Sequence, residues 1–566
     1  MASTTDSWWR TDAQQWRSGG WSIELRGDEL AEISYGGRML LRAVRAAVRD
    51  HGWLTVPVAV SSVTSTDDSL ALELRHEGLG ALITSRLTVA ADDEQLVISW
   101  EAVNGPDFHT CRVGLVALHP AAEAGTAAAV EHPDGSVERT AFPTAISPHQ
   151  PIFEIRELRI DDGATLRFEG DVFEMEDQRN WTDASFKTYS RPLGLPYPYR
   201  LDAGERIAQS ITVRPPRGDA SEVRDSDAMI ALVEAGMFPA VGVEASTAAS
   251  PVDESDIGAL RVVELNLTTP PWPAALARAA ADGVPLDVRI VTDGAPDALD
   301  AVASALRGLD VVRVTPFDSV SHVSEEATVA AARAALSAAG VDAPVLAGAR
   351  SHFTELNREQ ARIARDVAGI AVNTTPLFHT LDTEQLVEAL PMQRLIALQS
   401  VVIADGLPVH IGPVSLRPRF NNVATSPEAA PTRSDLSEGY GAEFTGAVDA
   451  RQSAPELAAW VVASAAALAV PGVETLSWFE TVGPRGVEGT PAAEAVQALV
   501  SLGGGTLLTG ESPDGLVWAV GSRAESGDAL LVANVGREAR RITVAVPGRE
   551  DVIVRVDAGA WQLVRV

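Results

Sequence analysis

Two glutamates in this chain stand where acid–base chemistry would need them. Glu355 follows the short apolar run Val345–Gly348 and lies among His352, Phe353, Asn357 and Arg358. Glu480 closes the run Trp478-Phe-Glu480 and precedes Arg485. A carboxylate in a half-apolar cleft has its pKa raised towards neutrality, which suits a general acid or base. Glu355 is the first choice for that work, Glu480 the second, and His352 the nearest electrophilic partner. Each glutamate also has a purely structural alternative. Glu355 can cap or ion-pair with the following helix, and Glu480 can form a rim ion pair with Arg485.

His352, His379 and His410 fall near predicted strand ends, and three histidines with a carboxylate can hold zinc. There is no H-x-H pair and no H-E-x-x-H, so neither metal nor cofactor is expected. The histidines are read instead as hydrogen-bond donors to a hydroxylated substrate. Asn357, Arg417, Arg419, Asn421, Trp478 and Arg485 complete the substrate-binding candidates. No G-x-S-x-G elbow, Walker loop or dinucleotide fingerprint occurs.

The elements that must position these residues can be read from hydrophobic period. From about Gly20 to Arg214 the alternation is two, as in Leu70-Ala-Leu-Glu-Leu-Arg and Leu96-Val-Ile-Ser-Trp, with Gly/Asp turns between runs. That predicts an N-terminal β-sandwich over 1–220. From 221 to 500, short apolar runs alternate with Ala-rich helical stretches such as 325–339 and 455–469. Eight such units predict a central (β/α)8 TIM-like barrel with its site on the loops after the strands. The first two barrel strands end in Glu244 and in Glu264 with Asn266. Short strands return over 501–566 and predict a small C-terminal β-sandwich.

One further stretch is dense in chemistry. Phe173 to Leu193 sets Glu174, Glu176, Asp177, Arg179, Asp183, Lys187 and Arg191 between Trp181, Phe186 and Tyr189. Matched charges among rings predict ion pairs in a partly dry place, a domain joint or a ligand cleft. The preferred reading is a seam between sandwich and barrel. Arg179 and Trp181 are kept as candidates for reaching the substrate.

This stretch resembles the signature of the D-apionate lactonase family. So do Leu118-His-Pro120, Glu131-His-Pro-Asp-Gly135, Pro148-His-Gln-Pro151 and Phe353-Thr-Glu-Leu-Asn-Arg358. The resemblance implies hydrolysis of the lactone of a branched sugar acid in carbohydrate catabolism, and it carries over no catalytic residue. The loop Ser415–Asn422 departs from the family pattern, which leaves the exact lactone open. The competing expectation is a glycoside hydrolase with Glu355 and Glu480 as its two carboxylates, for which aromatic rings would stack on sugar faces.

Bulk properties set the partners. At 566 residues the chain exceeds one core. A formal net charge of −32 repels phosphate backbones and acidic membrane surfaces, so a small sugar lactone or glycoside is expected rather than nucleic acid or membrane. Cys111 is the only cysteine, which excludes an intrachain disulfide. The longest apolar run, Leu457–Val470, is expected to be too short to span a bilayer. A cytoplasmic location is expected, and a homo-oligomer stays open.

Overall fold

Strict alternation builds the first domain. In Ala81–Ala91 every second residue is buried, which is the register of a strand with one face on a core. The computed structural model describes residues 8–9, 12–216, 228–247, 255–269, 271–418, 449–525 and 527–566. Its N-terminal part stacks two nine-stranded sheets. Trp21, Trp100, Phe168 and Phe173 fill the space between them. In the first sheet Phe108–Pro120 runs between Arg38–Asp50 and Ser185–Tyr189. Val44, Ala46 and Val48 point into the sandwich. The alternate residues, Arg45, Ala47 and Arg49, therefore take the outer face.

The barrel consists of eight parallel strands: β1 Ala240–Glu244, β2 Leu260–Asn266, β3 Leu286–Thr292, β4 Val311–Asp318, β5 Ala347–Gly348, β6 Ile370–Val372, β7 Val409–Val414 and β8 Val473–Glu480. They pair in the order β4-β3-β2-β1-β8-β7-β6-β5, and a parallel bridge from Val314 to Val345 completes the ring. Around it lie α1 Trp272–Ala281, α2 Pro296–Ala305, α3 Glu326–Ala339, α4 Phe353–Arg358, α5 Thr383–Ala404, α6 Glu456–Leu468 and α7 Pro491–Val500. Strands this close leave no room for side chains at some interior positions. A Cβ on Gly348, at φ +152, would stand 1.9 Å from the carbonyl oxygen of Ala371.

Branched apolar side chains usually fill such an interior. Here polar groups do. Asp287 takes Arg289 at 2.8 Å and Arg313 at 2.7 Å. Arg313 donates to Thr475 Oγ1, which also meets His410 Nδ1 at 3.0 Å. Burial opposes ionisation of Asp287, but Arg289 and Arg313 outweigh it and hold the carboxyl below its ordinary range.

The barrel does not start at 221. Ala228–Ala231 and Val233–Met237 belong to the C-terminal sandwich, where they pair with Arg540–Ala545 and Thr506–Thr509. The first of these pairings is parallel and so needs a long crossover. The whole barrel is that crossover. Local alternation could not reveal which distant strand these residues join.

α5 is the one helix among the described residues long and apolar enough to cross a membrane, and it is longer than the run noted from sequence. It packs within the protein, with Leu386, Leu390 and Ile396 buried in the barrel core.

Candidate active site

The mouth of the barrel is built by strand parity. Val241 and Val243 pack outward against the helices, so Gly242 and Glu244 face the other way. By the same rule Val263 and Leu265 face out while Glu264 and Asn266 face in. Leu476 and Trp478 also join the outer core. Trp478 is fully buried, and its Nε1 donates to Ser464 of α6 at 3.0 Å. It therefore cannot stack on a substrate, which corrects the expectation. A left-handed residue, Phe479 at φ 48, then breaks the alternation, and a register shift opposite it places Glu480 beside Glu244 of β1.

Glu480 is held from three sides. Arg485 Nε lies 2.8 Å from Oε1, Thr247 Oγ1 donates to the same oxygen at 2.7 Å, and the Thr247 N–H donates to Oε2 at 2.9 Å. The rim ion pair with Arg485 is thus present, and both side chains are buried.

A second set stands at the ends of β2, β4 and β5. Arg350 grips Glu264 with two nitrogens, at 2.8 and 3.2 Å. His322 Nδ1 approaches Arg350 Nη1 at 3.5 Å. Asn373 donates to the Arg350 carbonyl oxygen at 2.7 Å. His322 holds a left-handed backbone, φ 58, which is uncommon outside glycine and clusters at functional sites. Burial first, then Arg350, pushes its pKa down to about 4, so the ring is neutral at pH 7. The sequence places Glu264 and Arg350 at strand ends but assigns no role to them or to His322. Their position at strand ends was the signal that could have found them.

Glu355 opens α4, and its Oε2 accepts the backbone N–H of His352 at 2.8 Å. That is the helix-capping alternative. His352 lies edge-on to Trp181 and Phe378 at the seam, and burial lowers its pKa. Asn357 donates to Asn180 Oδ1 and to the Ile146 carbonyl oxygen, so it joins the domains rather than facing a substrate. Arg179 is buried inside the sandwich on Asp177 at 2.7 Å, and it does not reach a mouth. Trp181 stacks on Phe378 at 4.4 Å.

His379 sits in the loop after β6, with Nδ1 2.6 Å from Asp183 of the sandwich. His410 is the second residue of β7 rather than its end, so it lies in the barrel interior on Thr475. The three histidines do not converge, because His410 stands at the start of β7 inside the barrel while His352 and His379 lie at the seam. Arg417 pairs with Asp449 at 2.8 Å. Arg419 and Asn421 lie outside the described residues. Among the described residues no group of three or more His, Cys, Asp or Glu could hold a metal ion.

At the seam a narrow crevice of about 20 Å3, room for little more than one water, lies beside His379 and Thr380. Its sandwich wall carries Gln178, Asp183 and Lys187, with Glu176 2.5 Å from Lys187.

The comparison with known families follows this division of the chain. The family model described as D-apionate lactonase, N-terminal domain, matches residues 1–217, and that described as D-apionate lactonase, TIM barrel domain, matches residues 240–504. The chain belongs to the D-apionate lactonase family. By that membership it is an enzyme, a hydrolase of the lactone-opening class. A D-apionate lactonase of Brucella anthropi is 29% identical over 459 residues, covering 71% of this chain and 72% of the relative. Among solved structures, a beta-arabinopyranosidase is similar with a TM-score of 0.29 at 11% identity, covering 97% of each chain. The alpha-galactosidase AgaA of Geobacillus stearothermophilus reaches 0.27 at 10% identity, covering 98% of this chain and 100% of the other. At those scores neither bears on the chemistry.

Buried histidines of this family member set a pH limit. Burial pushes His119 to about 3, and burial with Arg313 does the same for His410. Their folded pKa values lie below the unfolded value of about 6.5. Between the two, the unfolded chain binds more protons, so stability rises with pH there and is lost as pH falls below about 6.5. Each ring contributes about 1.4 kcal/mol per pH unit in that window. Thermal unfolding scans from pH 7.5 to 4.5 should show a midpoint that falls steadily below 6.5. A flat profile would mean these rings are not held neutral.

Proposed function

We propose that this chain hydrolyses a sugar lactone, taking D-apionolactone and water to D-apionate in carbohydrate catabolism. The observation that carries the reading is family membership through both large domains, 1–217 and 240–504. The relative named D-apionate lactonase supports the substrate.

The barrel mouth supplies the chemistry. Glu480, oriented by Arg485 and Thr247, takes a proton from a water whose oxygen attacks the lactone carbonyl carbon. Arg350, braced by Glu264, stabilises the oxyanion that forms. Collapse breaks the ring C–O bond, the protonated Glu480 returns its proton to the leaving ring oxygen, which departs as a hydroxyl, and the new acid loses its own proton to solvent as a carboxylate. Glu355, committed to the start of α4, positions the seam rather than the water. This moves the base from Glu355 to Glu480.

The test offers purified protein D-apionolactone, unbranched four- and five-carbon sugar lactones, and aryl glycosides. Acid release, fastest from the branched lactone, is expected. Release of an aglycone without acid formation from any lactone would replace this reading with the glycosidase one.

A further inference from the structure

Asp318 closes β4, and its side chain ties the turn that follows. Its Oδ1 accepts the backbone N–H groups of Val320 and Ser321, each at 2.8 Å, and its carbonyl oxygen accepts that of His322 at 3.0 Å. An aspartate bonded to its own backbone two residues on is a common turn former. The chain then runs back along β5. Val323 bridges Ala349 antiparallel, and the Ser324 N–H donates to the Gly348 carbonyl oxygen at 3.0 Å. Between turn and bridge, His322 is held at φ 58. Glycine takes that conformation without steric cost, and histidine does not.

What the histidine supplies is a contact at each end of Arg350. Its carbonyl oxygen accepts the Arg350 backbone N–H at 2.9 Å, and its Nδ1 meets Arg350 Nη1 at 3.5 Å. Glu264 grips Nε and Nη2 of the same guanidinium. Those two bonds share one carboxylate, so the guanidinium plane can still hinge about it. A contact on the third nitrogen, Nη1, opposes that hinge. Nδ1 can accept there only while it carries no proton, which places the ring proton on Nε2. Burial and Arg350 keep the ring neutral at pH 7 against Glu264 and Asp318, whose charges favour protonation.

We propose that His322 is a positioning residue for the barrel mouth: it fixes the plane of the Arg350 guanidinium and so aims it at the oxyanion of the opening lactone. The assignment rests on the reaction proposed for that mouth. A donor aimed at developing charge loses most of its value when it tilts away.

The test follows acid release from D-apionolactone by the full chain and its variants, each shown to be folded by circular dichroism and assayed well below its melting midpoint. His322→Gly suits the backbone and removes the ring. It should lower kcat about tenfold or more with KM little changed. His322→Ala repeats the measurement should the glycine loosen the turn. His322→Asn tolerates the left-handed backbone and returns an acceptor near the place of Nδ1, so it should restore kcat to within about threefold of the parent. In an Arg350→Gln background, His322→Gly should cost nothing further, because it acts through the arginine. Unchanged kcat in His322→Gly and His322→Ala would overturn the assignment, as would an equal loss in His322→Asn. A full additional loss in the Arg350→Gln background would mean that His322 acts independently of Arg350, and a raised KM alone would make it a binding residue. Either result also overturns the assignment. No acid release by the parent from any lactone would instead remove the reaction, and this role with it.

Discussion

Glu480→Gln is expected to lower kcat/KM for a sugar lactone by about 10²–10⁴-fold, the usual contribution of a positioned general base. Glutamine has the same shape; its amide oxygen can still accept the Thr247 backbone N–H, while its NH2 faces the Thr247 hydroxyl, whose oxygen can accept from it. It cannot take a proton from water. The substitution also leaves Arg485 without its carboxylate, so some stability is lost as well. The two effects separate cleanly. Rates are measured at a temperature well below the melting midpoint of the variant, with circular dichroism to show that it is folded. A folded variant within about threefold of the parent rate would reduce Glu480 to a rim ion pair and end its role as base.

Arg179→Ala is expected to cost about 3–5 kcal/mol of stability, the range for breaking a buried ion pair from one side. The side chain does several jobs at once. Its Nε and Nη2 meet Asp177 at 2.8 and 2.7 Å, and Nη2 also donates to the carbonyl oxygens of Pro143 and Ala145. Its plane lies over Phe186 at 4.3 Å. Truncation strands the Asp177 carboxylate, which is fully buried. Burial already pushes that carboxyl above its ordinary pKa even with the arginine present. Urea unfolding gives the measurement. A loss below about 1 kcal/mol, or a fully stable variant with no turnover, would move Arg179 from the sandwich interior to the substrate.

Much of this architecture is legible in one dimension. The runs from Leu70 and Leu96 are both strands. The Ala-rich stretches at 325–339 and 455–469 are helices within a residue at each end. The charged stretch after Phe173 does meet the barrel, since Thr354 donates to the Asn180 carbonyl oxygen and Thr182 meets Thr374. The site was harder. Trp478 and Glu480 are two residues apart, and strict alternation would put them on one face, but the left-handed Phe479 between them turns only the glutamate inward. His410 was placed at the wrong end of its strand. Glu264 and Arg350, three strands apart around the ring, form a pair that no local pattern announces.

What the chain decides by itself is which residues bury and with what period, because a strand or helix must hide its own apolar face wherever it ends up. Motif content carried the family as well. Only the folded molecule decided which carboxylates were already engaged and which strand each edge joined. Those outcomes depend on neighbours hundreds of residues away, and closing the ring is what brings them within reach of an ion pair.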